Sequence, residues 1–292
     1  ARTYYARHPV QQNHDLGYDS GFEEDFQSPS PSNFFTIPWS VNLNNRLIAD
    51  HHEVIYDESC FIIQKNNEEE FLALNCLARQ PQITAEARCK LVSWLIAVYK
   101  HFKLSFESCC LAVNIMDRFL VTTSVAADCF QLLGVTSLLI ATKHVEVCSP
   151  RIKQLLSLCC NAFSKEQLCN LECLILLRLN FRLAAPTLAF FLDYLVTTEE
   201  DQLSRVEKYK YFACKICELS LADYAFNKYQ PSVIVQNLLC TADHNSINYS
   251  LIQQCTEDLR LLVSLNLESL QDLKFLLPLQ FFQTLARCVC KV

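Results

Sequence analysis

Cysteine is the residue type that most invites a chemical role in this sequence. There are seventeen cysteines, and Cys214 and Cys217 have the Cys-x-x-Cys spacing that suits zinc or a reversible disulfide. A shorter pair, Cys288 and Cys290, lies near the end, and neither pair has a second pair or histidines at ligand spacing. Most of the cysteines lie inside apolar helical runs rather than in a small, turn-rich domain. We therefore interpret them as reduced thiols of a cytoplasmic or nuclear protein, and we expect no bound metal.

The groups that carry out phosphoryl transfer are missing from the sequence. It contains no His-Arg-Asp triplet, no Asp-Phe-Gly triplet and no glycine-rich loop. Only three glycines occur, at Gly17, Gly21 and Gly134. Loops that surround phosphates need residues free to take positive φ, and such residues are scarce here. The sequence therefore predicts no phosphoryl transfer by this chain and no cofactor, and it gives no support to an enzyme of another chemistry.

The net charge of −6 is concentrated at the start of the chain. Residues 1–70 have a balance of −8, and the remaining residues have a balance of +2. Binding to nucleic acid without sequence preference needs clustered lysine and arginine to neutralise phosphates, and no such cluster is visible. No apolar run is long enough to cross a bilayer. We therefore expect neither nucleic acid nor a membrane as a partner.

The residues that could do chemistry must be positioned by helices. Apolar residues make up 51% of the chain and glycines are few, which favours long helices. Residues 1–67 are acidic and rich in Gln, Asn, Ser and Pro, so they are predicted to be a mostly disordered leader. Residues 56–77 show a weak helical pattern that is interrupted at Asn66 and Asn67. The pattern indicates a short helix around the end of the leader.

Residues 68–185 read as a first domain of five helices. Small residues share one face of the third helix, which predicts close packing by its neighbours; they are Gly134, Ser137 and Ala141. The five helices are predicted to start at residues typical of helix N-termini. These are Thr84, Ser105, Ser124, Pro150 as the first helical residue, and Ser164 in a capping box with Gln167.

Residues 186–292 read as a second helical domain. The apolar periodicity predicts helices over about 187–196, 202–222, 231–243 and 250–266, with a tail over 269–287. Direct repetition between the two domains is not visible. A second domain of similar plan is nevertheless expected.

Five sequence blocks in the first domain resemble the cyclin box. They follow one another in order and with the expected separations, at residues 87–95, 111–120, 131–143, 171–172 and 181–187. This resemblance to the cyclin family implies an all-α fold of two tandem cyclin-box domains, the second one less regular. Within the family, residues 126–140 and 168–173 are most similar to the cyclin O group.

The resemblance implies a cyclin-dependent protein kinase as the partner. Lys143 and Glu172 match the lysine and glutamate that bind the kinase's mobile regulatory helix and hold it in the active position. Apolar side chains around this pair are expected to be buried when the kinase binds. They are Ile140, Leu176, Phe181 and Leu183.

The resemblance also implies a structural pair and a docking groove. Arg88 and Asp117 are expected to pair in the interior and to hold the first two helices of the box together. A shallow apolar groove would bind substrates or inhibitors of the kinase, although Ala87 and Lys90 replace the larger apolar residues usual in the family. The groove residues that match are Leu91, Trp94 and Gln131.

The resemblance suggests two cellular programmes. One is cell-cycle control; the other, through the cyclin O group, is centriole amplification in multiciliated cells. A different class stays open: a cyclin-fold scaffold, or a module like a transcription factor, that activates no kinase. The near-neutral charge of residues 71–292 argues against DNA binding by such a module.

Overall fold

The computed structural model describes residues 58–197, 203–239, 249–266 and 270. Over these residues the chain forms α-helices, short 3-10 helices and connecting segments, with no strand. This confirms the predicted all-α fold. The predicted leader, apart from its last ten residues, lies outside the described residues, as does the predicted tail over 269–287 apart from residue 270.

Six α-helices are described before residue 186. They are connected by short segments, and a 3-10 helix at Ala127–Cys129 leads into the fourth. Their bounds are α1 Glu58–Phe71, α2 Ala85–His101, α3 Phe106–Thr122, α4 Phe130–Val145, α5 Ile152–Leu158 and α6 Lys165–Arg178.

Four α-helices are described after residue 186. A 3-10 helix at Tyr224–Lys228 lies between the second and the third of them. Their bounds are α7 Leu188–Thr197, α8 Leu203–Ala222, α9 Pro231–Leu238 and α10 Tyr249–Leu265. The predicted helix over 231–243 is therefore described only as far as Leu238.

Three predicted helix starts are confirmed by side-chain caps. The hydroxyls of Thr84 and Ser105 accept hydrogen bonds from backbone N–H groups at the starts of α2 and α3. Ser164 and Gln167 form the predicted capping box at α6. These caps satisfy N–H groups that have no partner within the helix, so each one fixes where its helix begins.

Three local predictions were wrong. The helix predicted from Ser124 begins at Phe130, because the backbone N–H of Val125 donates to the side chain of Gln80 instead. The helix predicted to start with Pro150 begins at Ile152, after Arg151 as its N-cap. The interruption predicted at residues 66–67 does not occur, since α1 continues through both asparagines to Phe71.

A first hydrophobic core surrounds α4, whose residues 130 and 132–142 are all buried. Gly134 faces Leu91 of α2: a Cβ at residue 134 would lie 3.0 Å from one Cδ of that leucine. The glycine is thus needed for close approach of the two helices, in agreement with the predicted small-residue face. Glycine is less favourable than alanine within a helix, and the close packing of the two helices offsets this cost.

A second hydrophobic core lies among α7, α8, α9 and α10. Its largest fully buried side chains are Phe191, Phe212 and Tyr229. Helix α1 contributes to both cores, since Phe71 belongs to the first and Phe61 packs on Phe191 at a centroid distance of 5.6 Å. The domain boundary predicted after residue 67 therefore falls within a continuous helix.

Buried polar contacts join α2 to α8. The carboxylate of Glu218 accepts hydrogen bonds from Tyr99 and, at 2.6 Å, from Lys100. Glu218 and Tyr99 are buried, so their hydrogen bond lies in a low-dielectric setting and is stronger than on the surface, whereas Lys100 is 47% exposed. They hold α2 against α8, a helix of the second core. None of the described helices has the length and apolar character required to cross a membrane.

Candidate functional site

Lys143 and Glu172 form an ion pair at the surface. Lys143 lies in the last turn of α4, where a positive charge is favoured by the helix dipole, and Glu172 lies midway along α6. The Nζ atom is 2.8 Å from Oε1 and 3.0 Å from Oε2 of Glu172. The lysine side chain is 50% exposed and the glutamate side chain 14% exposed. Both groups thus keep open hydrogen-bonding positions toward solvent.

The four apolar residues expected around this pair differ in exposure. Ile140 is 2% exposed within the first core, so the expectation that a partner would bury it does not fit: it is already buried. Leu176 and Leu183 are half-buried against the same core. Phe181 is 64% exposed. Of the four, Phe181 presents the largest exposed fraction to a partner.

Phe181 also has an unusual backbone conformation. Its φ is +57° and that of Asn180 is +51°, both in the left-handed region. The N–H of Phe181 donates to the carbonyl of Leu176 at 2.9 Å, which closes the end of α6. A bulky residue in this region is strained by contact between Cβ and the backbone. The chain therefore keeps a large aromatic ring exposed, and in a costly conformation, just after the helix that carries Glu172.

Two further exposed residues on α6 were missed from the sequence. Leu174 is 40% exposed and Leu177 is 64% exposed. With Phe181 they follow a spacing of three and four residues, so they share one side of the helix end. They fall outside the buried positions 168, 175 and 179, which mark the core side of the helix. We call Leu174, Leu177 and Phe181 the apolar stripe.

Glu146, at the end of α4, is engaged within the chain. Its Oε1 accepts from the backbone N–H of Ser105 at 2.7 Å and from the hydroxyl of Ser108 at 2.6 Å. Burial raises the pKa of this carboxyl, but the hydrogen bonds from the two serines outweigh burial and leave the pKa lowered. Glu146 thus fastens the end of α4 to the start of α3, while Val147 next to it is fully exposed.

Arg88 and Asp117 are brought together as a buried, two-pronged ion pair. Arg88 Nε lies 2.9 Å from Oδ1, and Nη2 lies 2.7 Å from Oδ2. Nη1 of the arginine also donates to the carbonyls of Leu221 and Ala222 at 3.3 Å. Burial lowers the pKa of Arg88, but Asp117 raises it more, so the guanidinium stays charged. The pair joins α2, α3 and the end of α8.

The predicted docking groove is only partly accessible. Leu91 is 7% exposed because it packs on Gly134, whereas Trp94 and Gln131 are half-buried. Lys90 forms an exposed ion pair with Glu86, at 2.6 Å. A polar pair therefore lies on α2 next to the groove, and binding of substrates or inhibitors there stays a prediction.

The Cys-x-x-Cys pair lies within α8. Cys217 is buried and Cys214 half-buried; burial raises the pKa of Cys214 to about 12 and that of Cys217 well above its usual value. Such thiols are poor nucleophiles and poor metal ligands at neutral pH. The part of the chain that the structure describes holds no cluster of His, Cys, Asp or Glu suited to a metal ion. Cys288 and Cys290 lie outside the described residues.

Comparison with known proteins identifies relatives along nearly the whole chain. The family model "Cyclin, N-terminal domain" matches residues 59–184. Cyclin-O protein B of Xenopus laevis is 49% identical, over 96% of this chain and 82% of the relative. Human cyclin-O is 50% identical, over 77% of this chain and 68% of the relative. The predicted similarity to the cyclin O group is thereby confirmed.

The fold has a counterpart among solved structures. The X-ray structure of a viral cyclin from herpesvirus saimiri superposes with a TM-score of 0.54, covering 73% of this chain and 96% of the viral protein at 22% identity. This likeness shows the fold alone. The family match and the two relatives near 50% identity lead to one conclusion: this chain belongs to the cyclin family.

Proposed function

We propose that this chain is a regulatory subunit that binds and activates a cyclin-dependent serine/threonine kinase. The observation that carries the proposal is the exposed Lys143–Glu172 ion pair, which joins α4 to α6; the same helix α6 also carries the apolar stripe. A surface ion pair alone contributes at most about 1 kcal/mol to stability. Stability also does not explain why the aromatic ring of Phe181 is kept exposed and in a strained conformation at the end of α6, whereas binding to a partner does.

The two parts of this surface have different roles in the proposal. The apolar stripe supplies buried area, and covering one large apolar side chain contributes roughly 1.5–3 kcal/mol. Lys143 and Glu172 supply orientation, since the lysine can donate to a backbone carbonyl and the glutamate can accept from a backbone N–H. Both kinds of backbone group are available at one end of a kinase helix together with the non-helical segment that adjoins it. The surface can thus bind such a helix in one register.

Activation follows from preferential binding. An active kinase requires its regulatory helix to lie inward so that a Lys–Glu ion pair forms in the active site. A subunit that binds the inward state more tightly shifts the kinase population toward that state. The cyclin chain itself contributes no group to phosphoryl transfer in this mechanism, so we propose that it is not an enzyme.

The cellular setting is proposed from the relatives. Cyclin-O proteins of Xenopus laevis and human share about half of the residues of this chain. We propose a role in cell-cycle control or, following the cyclin O group, in centriole amplification in multiciliated cells. The cytoplasm and the nucleus are the proposed locations, because the buried thiols suit a reducing compartment.

A kinase-activity assay tests the proposal. The full chain is mixed with each member of a panel of cyclin-dependent kinases, and histone phosphorylation is measured. We expect one kinase to gain at least about tenfold in rate, and Lys143→Ala/Glu172→Ala to abolish the gain. A kinase that binds without any gain in rate would instead identify the chain as a cyclin-fold scaffold.

A further inference from the structure

Two arginines meet on one phenylalanine ring next to the apolar stripe. The Cζ atom of Arg118 on α3 lies 4.7 Å from the centroid of Phe71, and that of Arg182 lies 5.4 Å from it. Arg118 Nη1 donates to the backbone carbonyl of Arg182 at 2.8 Å. Cation–π contacts with the shared ring of Phe71 stabilise the positions of both guanidinium groups.

The charges of this group are not balanced. Glu70 forms an ion pair with Arg182, and among the described residues it is the one carboxylate within ion-pair distance of either arginine. Burial, and next the charge of Arg182, lower the pKa of Arg118. Two positive groups share one negative group, so a positive charge is left over.

The position of the arginines links them to the proposed partner surface. Arg182 follows Phe181 directly in sequence, and its side chain is 50% exposed. Arg118 is half-buried and presents part of its guanidinium at the same place. A protein that covers the apolar stripe would therefore also pass over this pair.

We propose that Arg118 and Arg182 bind an anionic side chain of the kinase, a carboxylate or a phosphorylated residue, when the kinase covers the apolar stripe. The inference rests on the proposed function. A guanidinium presents parallel N–H groups that match the oxygens of either anion, and two of them converge here. Glu70 occupies Arg182 in the free chain and is displaced, at least in part, by the kinase anion.

The test uses the full chain and the kinase found by the activity assay. Arg182→Ala is expected to weaken the affinity about tenfold in low salt and to reduce its salt dependence, because a charge contact at the rim is lost. Glu70→Gln is expected to tighten binding about threefold, since it releases Arg182. Arg178→Ala, which removes an exposed arginine one turn earlier, is the matched control and should change affinity less than twofold.

The gain expected from Glu70→Gln separates this proposal from a structural role, which predicts no gain. Thermal unfolding of each variant checks that the fold is kept. If the wild type binds the kinase and neither Arg182→Ala nor Glu70→Gln changes the affinity, the inference is overturned and the proposed function stands. If the wild type binds no kinase, both are overturned. Phosphatase treatment of the kinase distinguishes the two anions: loss of the Arg182 effect identifies a phosphate, and its persistence identifies a carboxylate.

Discussion

Arg88 places a full positive charge where its side chain is only 3% exposed. Such a charge is tolerated because Asp117 matches it with two hydrogen bonds and the carbonyls at the end of α8 take a third donor. The guanidinium is thus shared by three helices. A buried pair contributes little when complete, but removing one partner leaves an uncompensated charge.

Asp117→Ala is therefore expected to lower the free energy of unfolding by roughly 3–5 kcal/mol. Urea denaturation followed by circular dichroism measures it. The matched control is Glu86→Ala, which breaks the exposed pair with Lys90 on the same helix as Arg88 and should leave stability unchanged within error. Equal effects of the two variants would contradict the role given to the buried pair.

At Phe181 the requirements of binding and of stability oppose each other. Asparagine adopts the left-handed region at lower cost than phenylalanine does, so Phe181→Asn is expected to keep or raise the melting temperature of the free chain. The same change removes the exposed ring and should weaken kinase affinity about tenfold. Differential scanning fluorimetry and a binding titration measure the two effects. A loss of stability together with unchanged affinity would show that the ring serves the fold.

Among the described helices, α1 is the one whose role was not predicted from the sequence. Its pattern is weak and its asparagines suggest a break, yet it contributes to both hydrophobic cores through Phe61 and Phe71. Its buried Glu68 accepts the backbone N–H and the hydroxyl of Ser232 at 2.6 Å, at the start of α9. A carboxylate at a helix N-terminus satisfies free donors there, so Glu68 fastens α1 to the second core.

This contact makes stability depend on pH. Burial raises the pKa of Glu68 from an ordinary 4.5 to about 7, against the opposing effects of its hydrogen bonds to Ser232 and of Lys65. The folded state therefore favours the protonated acid. The resulting stabilisation is fully present below pH 4.5 and is lost as the pH rises through about 7, a change of about 3 kcal/mol.

Glu68→Gln should remove this loss, so that the variant gains stability over the wild type as the pH rises from 5 to 8. Urea unfolding at pH 5, 6, 7 and 8 measures it. Glu70→Gln on the same helix is the control, because its exposed carboxyl has a lowered pKa, due first to the hydrogen bond from Arg182, and does not titrate in this range. Parallel pH profiles for the wild type and Glu68→Gln would contradict the assignment.

For the whole molecule, local signals in the sequence were sufficient where one residue decides the structure. Caps at Thr84, Ser105 and Ser164 fixed three helix starts, and the small Gly134 indicated close packing. The start of α4 and the continuity of α1 could not be predicted, because contacts with distant residues decide both. Gln80 binds the backbone before α4, and the second core supports α1.

In the candidate site, too, some features could be predicted from the sequence and others depend on contacts between distant residues. Lys143 and Glu172 were found through a family resemblance, and their pairing required the fold to bring α4 beside α6. Leu174 and Leu177 were missed because they are ordinary leucines in an apolar helix, and only the packing shows them to be exposed. Ile140 was expected to be buried by a partner, but only the packing shows that it already lies in the first core.

In the proposed function, the Lys143–Glu172 pair and the apolar stripe form the kinase-binding surface. A titration of the full chain into the kinase identified by activity tests it most directly, with Lys143→Ala/Glu172→Ala compared to the wild type. The predicted result is an affinity lowered at least about a hundredfold by the double variant at an unchanged melting temperature, because a pair that orients the partner is lost. An unchanged affinity would contradict the claim and would place the kinase contact elsewhere on the molecule.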